Sequence, residues 1–213
     1  MRRARLNLLA FVFLNALMGA AARAHPHVWV MTETELLFDE NKALTGFRNK
    51  WTFDEIYSMF AVAAADVNQD GKYDRDELKA LAQVNIDSMK EFDYFIFPKS
   101  ASEALPTLQP QDYWLEFRDG KLTLFFTLPL ATPLPIAKLK TFNFSIYDQG
   151  FYVAFELAKE HPVTLHGPPA GCAANVTAPN PQAPDQSLLI SPQASNGFTT
   201  QYVSVVTVQC PGL

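Results

Sequence analysis

The chain has 213 residues, 22 acidic and 17 basic, for a formal charge of −5, and 48% of it is hydrophobic. Rich in Phe, Val and Leu, it can bury one good core, which favours one domain with a helical insert over two. The acidic balance argues against binding nucleic acid or anionic membrane surfaces, and suits a protein that meets cations.

Residues 1–24 read as an export signal: Arg2, Arg3 and Arg5 form a basic start, Leu6 to Met18 an apolar core, and Ala22-Arg23-Ala24 an A-x-A cleavage site. The apolar run is shorter than the roughly 20 residues that span a bilayer, and no later segment is apolar enough to do so. The expectation is a periplasmic protein whose residues 25–213 form a single β-rich domain. Losing Arg2, Arg3, Arg5 and Arg23 with no acid takes its formal charge from −5 to −9.

Cleavage after Ala24 makes His25 the first residue of His25-Pro26-His27-Val28-Trp29-Val30. A free α-amine has a pKa of about 7.7–8.0, so it can join its own imidazole in chelating a borderline metal. Pro26 has no amide proton to lose, which rules out the square-planar motif that needs one. A brace remains: the amine and His25, with His27, His161 or His166 as further donors for copper, zinc or nickel. Alternatively His27 simply caps the first strand.

Val28 to Phe38 alternates, Asp39-Glu40-Asn41-Lys42 turns, and Ala43 to Trp51 returns, which predicts a β-hairpin. An EF-hand insert over 53–92 follows. Phe53 to Ala65 forms its entering helix, with Ile56, Met59, Phe60 and Ala63 on one face, and Leu78, Leu81, Ala82, Ile86 and Met89 give the exiting helix another. Between them Asp66 to Glu77 fits every fixed position of D-x-[DN]-x-[DN]-G-x5-E. In such a loop Asp66, Asn68 and Asp70 offer side-chain oxygens, Lys72 its carbonyl, Asp74 a ligand often relayed by water, and Glu77 two oxygens. Gly71 sits at the turn that needs φ > 0. The bland alternative is a capped acidic turn. The sequence holds no second loop, so calcium here reads as a staple or weak sensor, with affinity of roughly 10⁻⁴ to 10⁻³ M.

Asp93 to Phe97 reads as a short strand stopped by Pro98, and 99–110 as a loop. Tyr113–Arg118 and Lys121–Leu128 flank Asp119-Gly120, the strongest hairpin signal in the chain. Pro129, Pro133 and Pro135 then break the pattern. A further hairpin pairs Phe142–Tyr147 with Phe151–Leu157 around Asp148-Gln149-Gly150. Its aromatic residues read as core. His161 to His166 reads as an edge strand, residues 167–197 as a loop, and Phe198–Val208 as a last strand bringing Cys210 to Cys172. As the only cysteines of an exported chain these two are expected to form a disulfide. The fold expected is α+β, mainly β: an antiparallel, immunoglobulin-like β-sandwich with an inserted EF-hand.

The A-x-A signal, H-P-H-V-W-V from His25, Trp51-Thr52-Phe53-Asp54, the loop from Asp66, and Tyr147 to Phe155 together resemble the domain of unknown function family 1007. The likeness runs from His25 to about His166. It implies a periplasmic component of an uncharacterised ABC-type transport system, associated with nickel, cobalt or zinc permeases, and it favours His25 and His27 as the metal ligands. No G-x-S-x-G, phosphate loop or H-E-x-x-H is present, so no enzyme is expected. The expected function is a binding or accessory protein that passes zinc, nickel or cobalt to an inner-membrane permease and is stabilised by calcium. The alternative is a calcium-dependent interaction module without such cargo, and a copper-brace protein comes third.

Overall fold

The computed structural model describes residues 26–179 and 203–211. The proposed signal, His25 and the start of the last predicted strand lie outside them.

The first hairpin forms as its alternation requires: β1 (Val28–Phe38) buries Val28, Val30, Thr32, Thr34, Leu36 and Phe38 and turns the residues between them outward. It pairs antiparallel with β2 (Leu44–Phe53). Buried polar groups on this pair satisfy one another, since the Thr34 hydroxyl donates to Asn49 Oδ1 at 3.0 Å. The second predicted hairpin also forms, between β5 (Gln111–Arg118) and β6 (Lys121–Leu134), with Asp119 and Gly120 both at positive φ.

Among the described residues the strands make two sheets. One has the order β5-β6-β2-β1-β8, with β9 also on β1; the other has the order β10-β11-β7-β3-β4. Here β3 is Ile96–Ser100, β4 Glu103–Ala104, β7 Phe142–Ile146, β8 Val153–Leu157, β9 Val163–His166, β10 Ala173–Thr177 and β11 Val205–Gln209. Between the sheets lies the core, where Trp51 is fully buried edge-on to Phe126 at 4.9 Å. Cys172 and Cys210 form the expected disulfide across a separation of 38 residues, which supports the last strand pair.

Several expectations are corrected. The sandwich is mixed, because β8 and β9 both run parallel to β1, and this departs from an antiparallel immunoglobulin order. Phe142–Tyr147 and Phe151–Leu157 do not pair with each other. Asp148 carries the chain from one sheet to the other, its carboxylate accepting the N–H groups of Gly150, Tyr152 and Val153 at 2.8–3.0 Å. Asp93, Tyr94 and Phe95 take positive φ in a 3-10 turn, so β3 starts only at Ile96 and runs through Pro98. Pro129 does not end β6, because its missing N–H falls at a register shift opposite Gly46 and its carbonyl accepts from Leu108. There β2 and β6 approach so closely that a Cβ on Gly46 would lie 2.6 Å from the Leu128 carbonyl oxygen. Of the expected edge strand, β9 contains His166 but not His161.

Two helices follow β2: α1 (Glu55–Val62) and α2 (Lys79–Met89). The second buries Ala82, Ile86 and Met89 as its pattern predicts. The first is turned the other way: Ile56, Met59 and Phe60 stand 74%, 61% and 79% exposed while Ser58 and Val62 are buried. Polar anchors set that rotation. Asp54 caps the helix by accepting the Tyr57 N–H, and Ser58 Oγ donates to the Asp54 carbonyl while accepting the Leu122 N–H of β6. Among the described residues no helix is long and apolar enough to cross a membrane.

Candidate metal centre

The loop between α1 and α2 is built by its own short polar side chains. Asp66 accepts the N–H groups of Asp70 and Gly71, Asn68 also accepts that of Asp70, and Asp70 accepts that of Lys72, at 2.8–3.1 Å. Asp74 starts the exiting helical turn by accepting from Asp76 and Glu77. Gly71 has φ +76 with open space around it, so backbone conformation and not crowding demands glycine there. The Glu77 carboxylate reaches back across the loop: Oε1 accepts from Val67 and Asn68 and Oε2 from Asp74.

Asp66, Asn68, Asp70, Lys72, Asp74 and Glu77 are thus brought into one closed turn. The donor chemistry fits a hard cation, since every candidate ligand is an oxygen. The gathering is incomplete: among the described residues no three His, Cys, Asp or Glu side chains converge into a metal-holding group.

The loop does not stand alone. Its Tyr73 ring packs edge-on to Phe117 of β5 at 4.8 Å, and its Arg75 guanidinium lies 4.7 Å over the Trp114 ring of the same strand. Arg75 is also 3.5 Å from Glu116. These contacts were not foreseeable without knowing that β5 is the outer strand beside the loop.

The histidines are dispersed. His27 is exposed at the foot of β1, its ring 4.9 Å from that of Tyr152 and its backbone N–H donating to the Tyr152 carbonyl. His166 pairs with Leu37 at the far end of β1, its Nδ1 3.9 Å from Glu35 Oε1. At about 3.3 Å per residue that separates it from His27 by roughly 30 Å. His161 comes just before Pro162, whose carbonyl meets Thr34, itself roughly 20 Å along the same strand from His27. Neither can join His27 in one site, which corrects the wider brace. His25 lies outside the described residues.

One residue whose bonds were not expected ties the start of α1 to β1. Besides capping α1, Asp54 accepts the Trp29 N–H at Oδ2 and donates its own N–H to the Trp29 carbonyl, both at 2.9 Å. The available signal was a favoured N-cap residue, Asp54, at the second position of the expected helix, where it marks a later start at Glu55. Nearby, burial raises Tyr57 above the ordinary phenol pKa, with Tyr152 and Asp54 adding to it.

The comparisons with known proteins give a family and no function. An uncharacterized protein of Haemophilus influenzae is 30% identical over 159 residues, covering 74% of each chain. An uncharacterized 15.5 kDa protein from the trpE 3' region of Spirochaeta aurantia is 29% identical over 106 residues, 47% of this chain and 70% of that one. Among solved structures, the acetylcholine-binding protein type 1 of Biomphalaria glabrata aligns over 99% of this chain and 100% of its own at 15% identity, with a TM-score of only 0.37. The family described as protein of unknown function (DUF1007) matches residues 9–210, and the chain belongs to that family.

Proposed function

We propose that this chain is an exported binding protein and not an enzyme, whose helix-loop-helix takes up calcium through Asp66, Asn68, Asp70, the Lys72 carbonyl, Asp74 and Glu77. Calcium would fix α1 and α2 against the sandwich and so shape the surface offered to a partner. The observation that carries this reading is the Glu77 carboxylate, which already spans from the start of the loop to its end. At about 10 mM calcium and the affinity of extracellular modules, binding contributes about 1.4–2.7 kcal/mol. That raises the thermal midpoint by about 3–10 °C for a domain of this size. Glu77→Gln should abolish the rise. Equal midpoints with calcium and with chelator in the parent protein would refute the reading.

A second reading, passing zinc, nickel or cobalt to an inner-membrane permease in the periplasm, draws on His27. It stands exposed where the chain from His25 enters β1, beside an aromatic wall formed by Tyr152. Calorimetry on processed protein tests it: His25→Ala with His27→Ala should lose the transition metal. Unchanged affinity would place any such site elsewhere. A copper brace at the same residues requires a nitrogen-rich type 2 paramagnetic signal after copper loading, and a spectrum without one would end it.

A further inference from the structure

Helix-loop-helix calcium units commonly work in pairs, each loop bracing the other, yet this sequence holds a single loop. We propose that strand β5 takes the place of the absent second loop, and that Tyr73 and Arg75 transmit cation binding to it. The inference rests on the calcium reading above and adds the route by which the site is felt elsewhere.

Along the stretch from Lys72 to Arg75 two roles alternate. Lys72 and Asp74 are expected ligands, whereas Tyr73 and Arg75 turn away to meet Phe117 and Trp114. Tyr73 sits between the two expected ligand positions and Arg75 directly follows Asp74, so closing the Lys72 carbonyl and the Asp74 carboxylate on a cation restrains the backbone that carries both contact side chains. On the receiving strand Trp114 is held by Phe125, stacked at 4.7 Å and 7°, and its indole N–H donates to Glu116 Oε1 at 3.1 Å. Arg75 thus meets an indole already fixed by Phe125 and Glu116, and its guanidinium also pairs with Glu116.

The consequence reaches a groove of about 960 Å³ between α2 and β5, lined by Arg75, Asp76, Lys79, Gln83, Tyr113 and Trp114. Arg75 and Asp76 belong to the calcium loop itself. Occupancy of the loop thus sets one wall of the groove, while the opposite wall is anchored to the sheet through β6.

The test uses full-length processed protein and follows tryptophan emission during a calcium titration, with calcium affinity measured in parallel by calorimetry. The parent should show a saturable emission change. Trp114→Phe, which keeps an aromatic ring on Phe125, should lose that change and still bind calcium. Arg75→Ala and Tyr73→Ala should weaken calcium about two- to fivefold, as expected for a partly exposed ring or cation–π contact, while Lys79→Ala, in the same groove without such a contact, should not. If calcium binds but emission is silent and both loop variants keep parental affinity, the coupling is refuted and the calcium site stands. If the parent takes up no calcium, both fall.

Discussion

Replacing Asp148 with alanine tests why the chain crosses between sheets where it does. The carboxylate is buried and accepts three backbone N–H groups, from Gly150, Tyr152 and Val153. These bonds hold the turn that delivers Val153 to its place beside Val28 in the parallel pair of β8 and β1. A hydrogen bond to a charged group contributes about 1.5–3 kcal/mol, and water can reach part of this turn, so the three together are expected to be worth about 3–4 kcal/mol. For a domain of this size that corresponds to a fall in thermal midpoint of about 6–16 °C. Asp148→Asn keeps one accepting oxygen and should fall between parent and alanine variant. Denaturant unfolding of all three proteins is the assay, with hydrogen exchange at β8 as a local readout. An alanine variant within about 0.5 kcal/mol of the parent would refute the reasoning, since the amides would then be satisfied without the carboxylate.

Ser58→Ala leaves the amide of fully buried Leu122 without its acceptor and should cost about 1–3 kcal/mol in a urea titration; no loss would mean that α1 is not anchored through this bond. Burial holds Tyr57, Tyr94 and Tyr147 above the ordinary phenol pKa of 10.0. The unfolded chain ionises these phenols first. Their contribution is therefore fully present below about pH 10 and is lost as pH rises through the raised folded values. A phenolate absorbance titration should show Tyr57, Tyr94 and Tyr147 ionising later in the native protein than in denaturant; coincident titration of these three would contradict this. Changing both Cys172 and Cys210 to serine should cost about 4 kcal/mol in the chain-entropy account of a 38-residue separation, and equal denaturation midpoints for parent and double variant would argue against it.

What could be read in the sequence was mostly local. The alternation of Val28–Phe38 determines which side chains face inward, and Asp119-Gly120 determines a turn whatever surrounds it. The turn from Asp66 to Glu77 was legible because short polar side chains at this spacing can each accept a nearby backbone N–H. Asp148-Gln149-Gly150 was misread because the same residues suit a hairpin and a crossing between sheets, and only the distant partners β1, β3 and β11 decide between them. The face of α1 was misread for a related reason. Ile56, Met59 and Phe60 carry the apolar pattern, but the helix rotation is set by bonds from Ser58 and Asp54 to residues on β6 and β1. Dispersal of the histidines follows from β9 lying parallel to the far half of β1, a pairing that no local pattern encodes.

The calcium site is tested most directly by titrating demetallated parent protein and its Glu77→Gln variant with calcium in a calorimeter. The expected result is one ion per parent chain, with a dissociation constant of roughly 10⁻⁴ to 10⁻³ M, and a loss of that isotherm in the variant. Identical, featureless heats for both proteins at calcium concentrations well above that range would leave Asp66 to Glu77 as an acidic turn between two helices.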